Sequence, residues 1–139
     1  MEIRLADKKD FALFYAIKKE FYEEYSKKKK PFEFSQSDFQ ELLKDFVIIA
    51  IEDCGIIGLL VGEIRTEKNE LEGYIAELFV KKEFRKKHIA TKLKNYFLKI
   101  LKNKEICLCR IDVNPDNPAQ EVYKKWGFKI DKYRMSYNL

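Results

Sequence analysis

The sequence predicts a mixed α/β (α+β) fold: a twisted, mostly antiparallel sheet of about 6–7 strands flanked by four helices. Three observations carry this. Residues 46–80 are apolar and β-branched in short runs broken by turn chemistry. Residues 11–25 and 87–103 repeat apolar side chains every three or four positions. Strands and helices alternate only in the second half of the chain.

Glu2 to Leu5 alternates polar and apolar residues, as a short first strand does, and Asp7 is placed to cap the first helix, with Asp10 three residues on. Phe11, Phe14, Ile17, Phe21 and Tyr25 then form one stripe of that helix, with Lys18, Lys19, Glu23 and Glu24 opposite. Ser35 or Ser37 caps a second, short helix ending near Asp45. Phe46 to Ile51 and Ile56 to Ile64 make a hairpin around Asp53-Cys54-Gly55. Glu72 to Val80 is the third antiparallel strand. Strict alternation puts Ile75, Glu77 and Phe79 on one face and Ala76, Leu78 and Val80 on the other, which sets a carboxylate among apolar residues. In the helix over 87–103, Ile89, Leu93, Phe97, Ile100 and Leu101 face the sheet. Ile106 to Val113 is apolar apart from Arg110 and Asp112, as in a central strand covered on both faces. Asn117 and Pro118 open a last helix whose face is Ala119, Val122, Tyr123 and Trp126 and which stops at Gly127. Phe128 to Ile130 and Tyr133 to Tyr137 are read as two final short strands.

A chain of 139 residues fits a single domain over 1–139. Hydrophobic residues make up 46% and the chain holds only three prolines and five glycines, which argues against disorder or a long linker. No apolar run reaches the roughly 20 residues that span a bilayer, and charges stand where a signal peptide would be apolar. A cytoplasmic protein without membrane contact is expected. Cys54, Cys107 and Cys109 lack metal-ligand spacing and are read as buried, reduced thiols, so no metal is expected. The net charge of +5 suits a phosphate-bearing partner. The Lys27 to Lys30 run before Pro31 reads as a solvated helix end, with a nucleic-acid patch as the weaker alternative; a nucleic acid is not an expected partner.

The chemistry concentrates between residues 78 and 126. Val80 to Ala90 is a strand end, a basic turn with Arg85, Lys86 and Lys87, and a helix start. A helix N-terminus offers unpaired backbone N–H groups and the positive end of a dipole, which suits pyrophosphate. Arg85-x-x-His88-x-Ala90 resembles the Q/R-x-x-G-x-G/A motif of the GNAT superfamily of acyl-coenzyme A dependent N-acyltransferases, and it follows a strand ending in Leu78-Phe79-Val80 as that motif does. Farther on, Asn114 and Asn117 lead to Tyr123-Lys124-Lys125-Trp126-Gly127-Phe128, which is similar to the family's later Asn…Tyr…Gly-Phe pattern. The resemblance covers residues 72 to 139 in detail and the first half through element order.

The resemblance implies acetyl-CoA as co-substrate and a primary amine as acceptor, attacked directly without a metal. It implies that the pantetheine arm lies along Leu78, Phe79 and Val80, that the pyrophosphate meets the backbone of Lys86, Lys87, His88, Ile89, Ala90 and Thr91 beside Arg85, and that Asn117 contacts the cofactor. Tyr123 would protonate the leaving thiolate, a step its ordinary pKa of about 10 permits. Glu77 is the candidate base for the acceptor ammonium; the bland alternative is a carboxylate tied to a neighbouring Lys or Arg. Glu72, Glu63 and Glu52 are weaker candidates. Lys86 and His88 stand where the family often has glycine, so a side chain at 88 either loosens the phosphate grip or points outward. His88 is read as a phosphate contact or an exposed residue rather than as catalytic. The acceptor is expected between the first two helices and the last strands, near Phe21, Tyr22, Tyr25, Phe32, Phe34, Tyr133 and Tyr137. A non-catalytic module that binds coenzyme A or a partner protein is the alternative function, and a homodimer through a sheet edge is compatible with the fold.

Overall fold

The structure, a computed structural model, describes residues 1–27, 30–53 and 55–139. Lys28 and Lys29 of the lysine run, and Cys54, lie outside the described residues. Strand β1 (Glu2–Leu5) leads through a 3-10 turn (Lys8–Asp10) into helices α1 (Phe11–Tyr25) and α2 (Gln36–Leu42). Strands β2 (Phe46–Glu52), β3 (Gly55–Glu67) and β4 (Glu70–Val80) come next, then a 3-10 turn (Lys82–Phe84), α3 (Ile89–Asn103), β5 (Cys109–Ile111) and α4 (Ala119–Lys125). The sheet order is β1-β2-β3-β4-β5, antiparallel except for the parallel β4–β5 pair.

Local chemistry explains the boundaries. Asp7 and Asp10 form a reciprocal capping box, and Arg4 donates two hydrogen bonds of 2.8 Å to the Asp10 carboxylate, tying β1 to the start of α1. Ser35, rather than Ser37, caps α2 through a second box with Asp38. The β3–β4 hairpin turns in two residues, Lys68 (φ 49°) and Asn69 (φ 67°); the positive φ at both positions marks a primed turn that keeps the strand twist and lengthens both strands beyond the expected ends. Gly127 (φ 98°) ends α4, and the Phe128 N–H reaches back to the Tyr123 carbonyl at 3.0 Å.

Two cores cover the sheet. On one face Ile48, Ala50, Ile57, Leu60, Ile75 and Val80 meet the α3 stripe of Ile89, Leu93, Phe97 and Leu101. On the other, Val47, Ile49, Ile56, Leu59, Val61 and Phe79 meet Phe14, Ile17 and Phe39 of α1 and α2. Gly62 and Gly73 let α3 come close: a Cβ at either position would overlap Phe97 or Leu101.

The C-terminal part departs from expectation. Five strands are present among the described residues, not six or seven, because neither Phe128 to Ile130 nor Tyr133 to Tyr137 pairs with a strand. Tyr133 and Tyr137 are 82% and 87% exposed. Of Ile106 to Val113 only Cys109–Ile111 joins the sheet, as an edge strand with Leu108 and Val113 exposed beside it. The face of α4 is half-buried or exposed and none of its residues is fully buried. Cys107 is exposed and Cys109 half-buried, which corrects the expectation of buried thiols, and burial beside Glu72 pushes the Cys109 thiol up to about 11.

Candidate active site

The β4–β5 pairing stops at Ile75 and Ile111, so from Ala76 to Val80 one edge of β4 has no neighbouring strand among the described residues. A strand edge offers backbone N–H and C=O groups to an extended ligand. A β-bulge sits at the same place: Val61 pairs with Glu77 and Gly62 with Ile75, leaving Ala76 as an extra residue. The bulge corrects the expected alternation. Ile75 lies on the α3 face with Leu78 and Val80, whereas Phe79 lies on the α1 face, and Glu77 reaches α1.

Glu77 Oε1 accepts a hydrogen bond from Lys18 Nζ of α1, and both side chains are mostly buried, 25% and 17% exposed. Glu77 Oε2 is buried and accepts no hydrogen bond, the one such side-chain atom among the described residues. An unsatisfied carboxylate oxygen in a desolvated place is costly, and such groups point to chemistry more often than to stability. Although Lys18 is expected on the solvated side of α1, it lies four residues after Phe14 and three before Phe21, within the apolar stripe by helical spacing, and it turns toward β4. The pair is one of three that lash α1 along the end of β4, with Lys81–Glu20 at 3.8 Å and Arg85–Glu24 at 2.7 Å. Lys18 also lines an open groove of about 500 Å³ with Phe34, Asp38, Glu41, Leu42, Lys44 and Asp45. Burial first, then the nearby carboxylates of Glu63 and Glu41, hold the Asp45 carboxyl above its ordinary range. The groove is bounded by α1, α2 and the segment before β2, not by last strands.

After β4 the chain makes a basic turn. Arg85 Nε donates to the Val80 carbonyl at 2.8 Å, its second arm binds Glu24, and its guanidinium stands 5.4 Å from the Phe79 ring centre. Arg85 thus fastens the strand end and α1 together. Lys86 (φ 64°) and His88 (φ 62°) are both left-handed, which gives the physical reason glycine suits these two positions. His88 stands at the N-cap of α3 with no side-chain cap bond, and Lys92 N–H is the first to bond back to it, at 3.1 Å. The N–H groups of Ile89, Ala90 and Thr91 therefore face outward from the first turn. Lys87 Nζ lies 5.5 Å from the Phe84 ring centre.

On α4, Tyr123 is half-buried against Trp126 and Phe128. Burial first, then the Tyr25 phenol, raises its pKa, so Tyr123 keeps its proton. Tyr25 in turn stands edge-on to Phe79, with ring centres 6.2 Å apart, which brings Tyr123 into the neighbourhood of the β4 end. Asn117 Oδ1 accepts from the Ala119 N–H at 2.9 Å, one residue ahead of the N-cap of α4, which is Pro118 rather than the expected Asn117. Lys94 of α3 is buried to 8% exposure over the Trp126 ring, and burial lowers its pKa.

The weaker carboxylate candidates are all engaged: Glu72 with Arg110, Glu63 with Arg65 at 2.9 Å, and Glu52 with the terminal amino group at 3.8 Å. No group of three His, Cys, Asp or Glu among the described residues is placed to hold a metal ion. No helix among the described residues is long and apolar enough to cross a membrane.

Known proteins share sequence and fold with this chain. The chain is 30% identical over 114 residues to N-alpha-acetyltransferase 30 of Schizosaccharomyces pombe, covering 81% of this chain and 72% of that protein. It is 31% identical over 104 residues to the Cysteine-rich protein 2-binding protein of Homo sapiens, covering 72% of this chain but only 12% of that protein's length. Among solved structures, an aminoglycoside N-acetyltransferase in complex with CoA superposes with a TM-score of 0.80 at 20% identity, covering 99% of this chain and 98% of that one, and so shares the fold. The model of the Acetyltransferase (GNAT) family matches residues 11–128, and with the site's position at the open end of β4 this places the chain in that family.

Proposed function

We propose that residues 1–139 act as one domain that transfers an acetyl group from acetyl-CoA to a primary amine by direct attack. The observation that carries this reading is Glu77: it follows a bulge on the stretch of β4 with an open edge and turns toward α1, one oxygen already holds a primary ammonium and the other is buried with no partner. An alkyl ammonium with a pKa near 10.4 must lose a proton before it attacks, and a carboxylate within hydrogen-bond reach is the group to take it.

The residues suit acetyl-CoA. The edge of β4 around Phe79, to which the main-chain groups of Leu78 and Val80 turn, can accept an extended amide-bearing arm beside the Val80 carbonyl that Arg85 holds, and the Leu78 N–H can stabilise the developing oxyanion. The left-handed backbone at Lys86 and His88 and the outward N–H groups of Ile89, Ala90 and Thr91 suit a pyrophosphate, with Lys87 adding charge. Acetyl-CoA supplies the activated acyl group; the chain binds it, takes a proton at Glu77 and gives one from Tyr123. Asn117 holds the start of α4 so that Tyr123 is placed, and any contact with the cofactor adds to that role. Arg85 acts by holding the Val80 carbonyl and Glu24. In the adjoining groove Lys44 pairs with Glu41 at 2.8 Å, and the carboxylates of Asp38 and Asp45 remain to favour a cationic amine. Free thiols at Cys107 and Cys109 suit a cytoplasmic setting.

A non-catalytic coenzyme A-binding module is favoured by one observation, the Lys18 ammonium occupying Glu77. Calorimetry with acetyl-CoA on wild type and Arg85→Ala tests the shared requirement: micromolar binding weakened about tenfold, or 1.4 kcal/mol, in the variant supports the site. Absence of binding at millimolar acetyl-CoA would remove both readings. Binding without release of coenzyme A from acetyl-CoA, whichever amine is offered, would leave the module.

A further inference from the structure

Lys18 stands within the apolar stripe of α1, four residues after Phe14 and three before Phe21. Its Nζ donates to Glu77 Oε1, lies 5.6 Å from the Phe21 ring centre and opens to the groove beside α2. The protein thus already presents a primary amine, on a side chain only 17% exposed, to the carboxylate that an acceptor amine would need. Other partly buried amines are placed differently: Lys81 pairs with Glu20 at 3.8 Å, and Lys94 lies over Trp126 with no carboxylate bonded to it.

We propose that Lys18 Nζ is an acceptor of its own active site, so that the chain acetylates itself at Lys18. The step rests on acetyl-CoA binding along the β4 edge, as proposed above. Glu77 takes one proton from the Lys18 ammonium through the hydrogen bond already present. The freed lone pair attacks the thioester carbonyl carbon, the C–N bond forms, the C–S bond breaks, and Tyr123 protonates the departing thiolate. Of the two protons Lys18 loses, one replaces that given by Tyr123 and the other passes to solvent, leaving an amide at Lys18 and free coenzyme A. The product is neutral and cannot form the ion pair, so modification also leaves the Glu77 carboxylate open to an external amine.

The test incubates the purified full chain with acetyl-CoA and follows intact mass and peptide maps, with acetyl-CoA binding measured on the same samples by calorimetry. The expected result is one acetyl group per chain, on Lys18, formed at a rate independent of protein concentration. Glu77→Gln should slow that step by about 10²-fold while retaining binding. Lys18→Arg, which keeps a cation for Glu77, should bind acetyl-CoA and gain no comparable acetyl group elsewhere. Binding with Lys18 unmodified, or acetyl groups spread over surface lysines or lodged on Lys94, would overturn the assignment while the binding reading stands. No binding would remove both.

Discussion

In the proposed reaction Glu77 and Tyr123 would divide the proton traffic because their surroundings differ. Glu77 meets an ammonium, whereas burial first, and then the Tyr25 phenol, raise the pKa of Tyr123 and keep it an acid. With a good amine acceptor, turnover should not decline on the alkaline side until pH exceeds about 10, and Tyr123→Phe should lower kcat by about 10²-fold at neutral pH with little change in acetyl-CoA affinity. A pH–rate profile of both proteins checks this. Asp10 works for stability instead. Arg4 holds its carboxyl below the usual range, so the stabilisation is complete above the unfolded carboxyl's pKa of about 3.9 and is lost as pH falls through the lower folded value. Asp10→Asn should cost about 2 kcal/mol at neutral pH and show a shallower acid loss than wild type in urea melts between pH 6 and pH 2. The identities of Glu77, Tyr123 and the basic turn were legible from residue type and order. The Lys18 pairing was not, because its partner lies 59 positions away, although the spacing of Lys18 from Phe14 and Phe21 sets it in the apolar stripe.

At the scale of elements, the capped helices and the β2–β4 meander were readable because their periodicity and punctuation agree with the packing. The bulge at Ala76 was not. A bulge adds one residue without a compositional mark, and every side chain before it changes face relative to a regular strand. The same limit affected Ile106 to Val113: an apolar run looks alike whether its strand is central or at an edge, and here Leu108 and Val113 remain exposed. The approach of α3 to the sheet makes a sharper prediction. Because a Cβ at Gly62 would overlap the fully buried Phe97 ring, Gly62→Ala should destabilise by about 1–3 kcal/mol, and Phe97→Leu in the same chain should recover part of that loss in thermal melts. Recovery is expected only if the clash, rather than backbone entropy, sets the cost.

Across the whole molecule, packing is uneven in a way that suits the proposed chemistry. The two cores bury the β1–β4 sheet between α3 on one side and α1 with α2 on the other. β5, α4 and the C-terminal residues pack more loosely against it, and the candidate site lies along the border between the two regions. A rigid sheet thus holds Glu77 and the β4 edge, while Tyr123 comes from the less buried side. Whether Glu77 receives the acceptor's proton is read from the release of coenzyme A thiol from acetyl-CoA with a panel of primary amines, by wild type and Glu77→Gln. Calorimetry should show that both bind acetyl-CoA equally. Wild type should turn over at least one cationic amine, and Glu77→Gln should lose about 10²-fold in kcat, with the deficit shrinking as pH rises toward the amine's pKa. Equal turnover by the two proteins would contradict that role for Glu77.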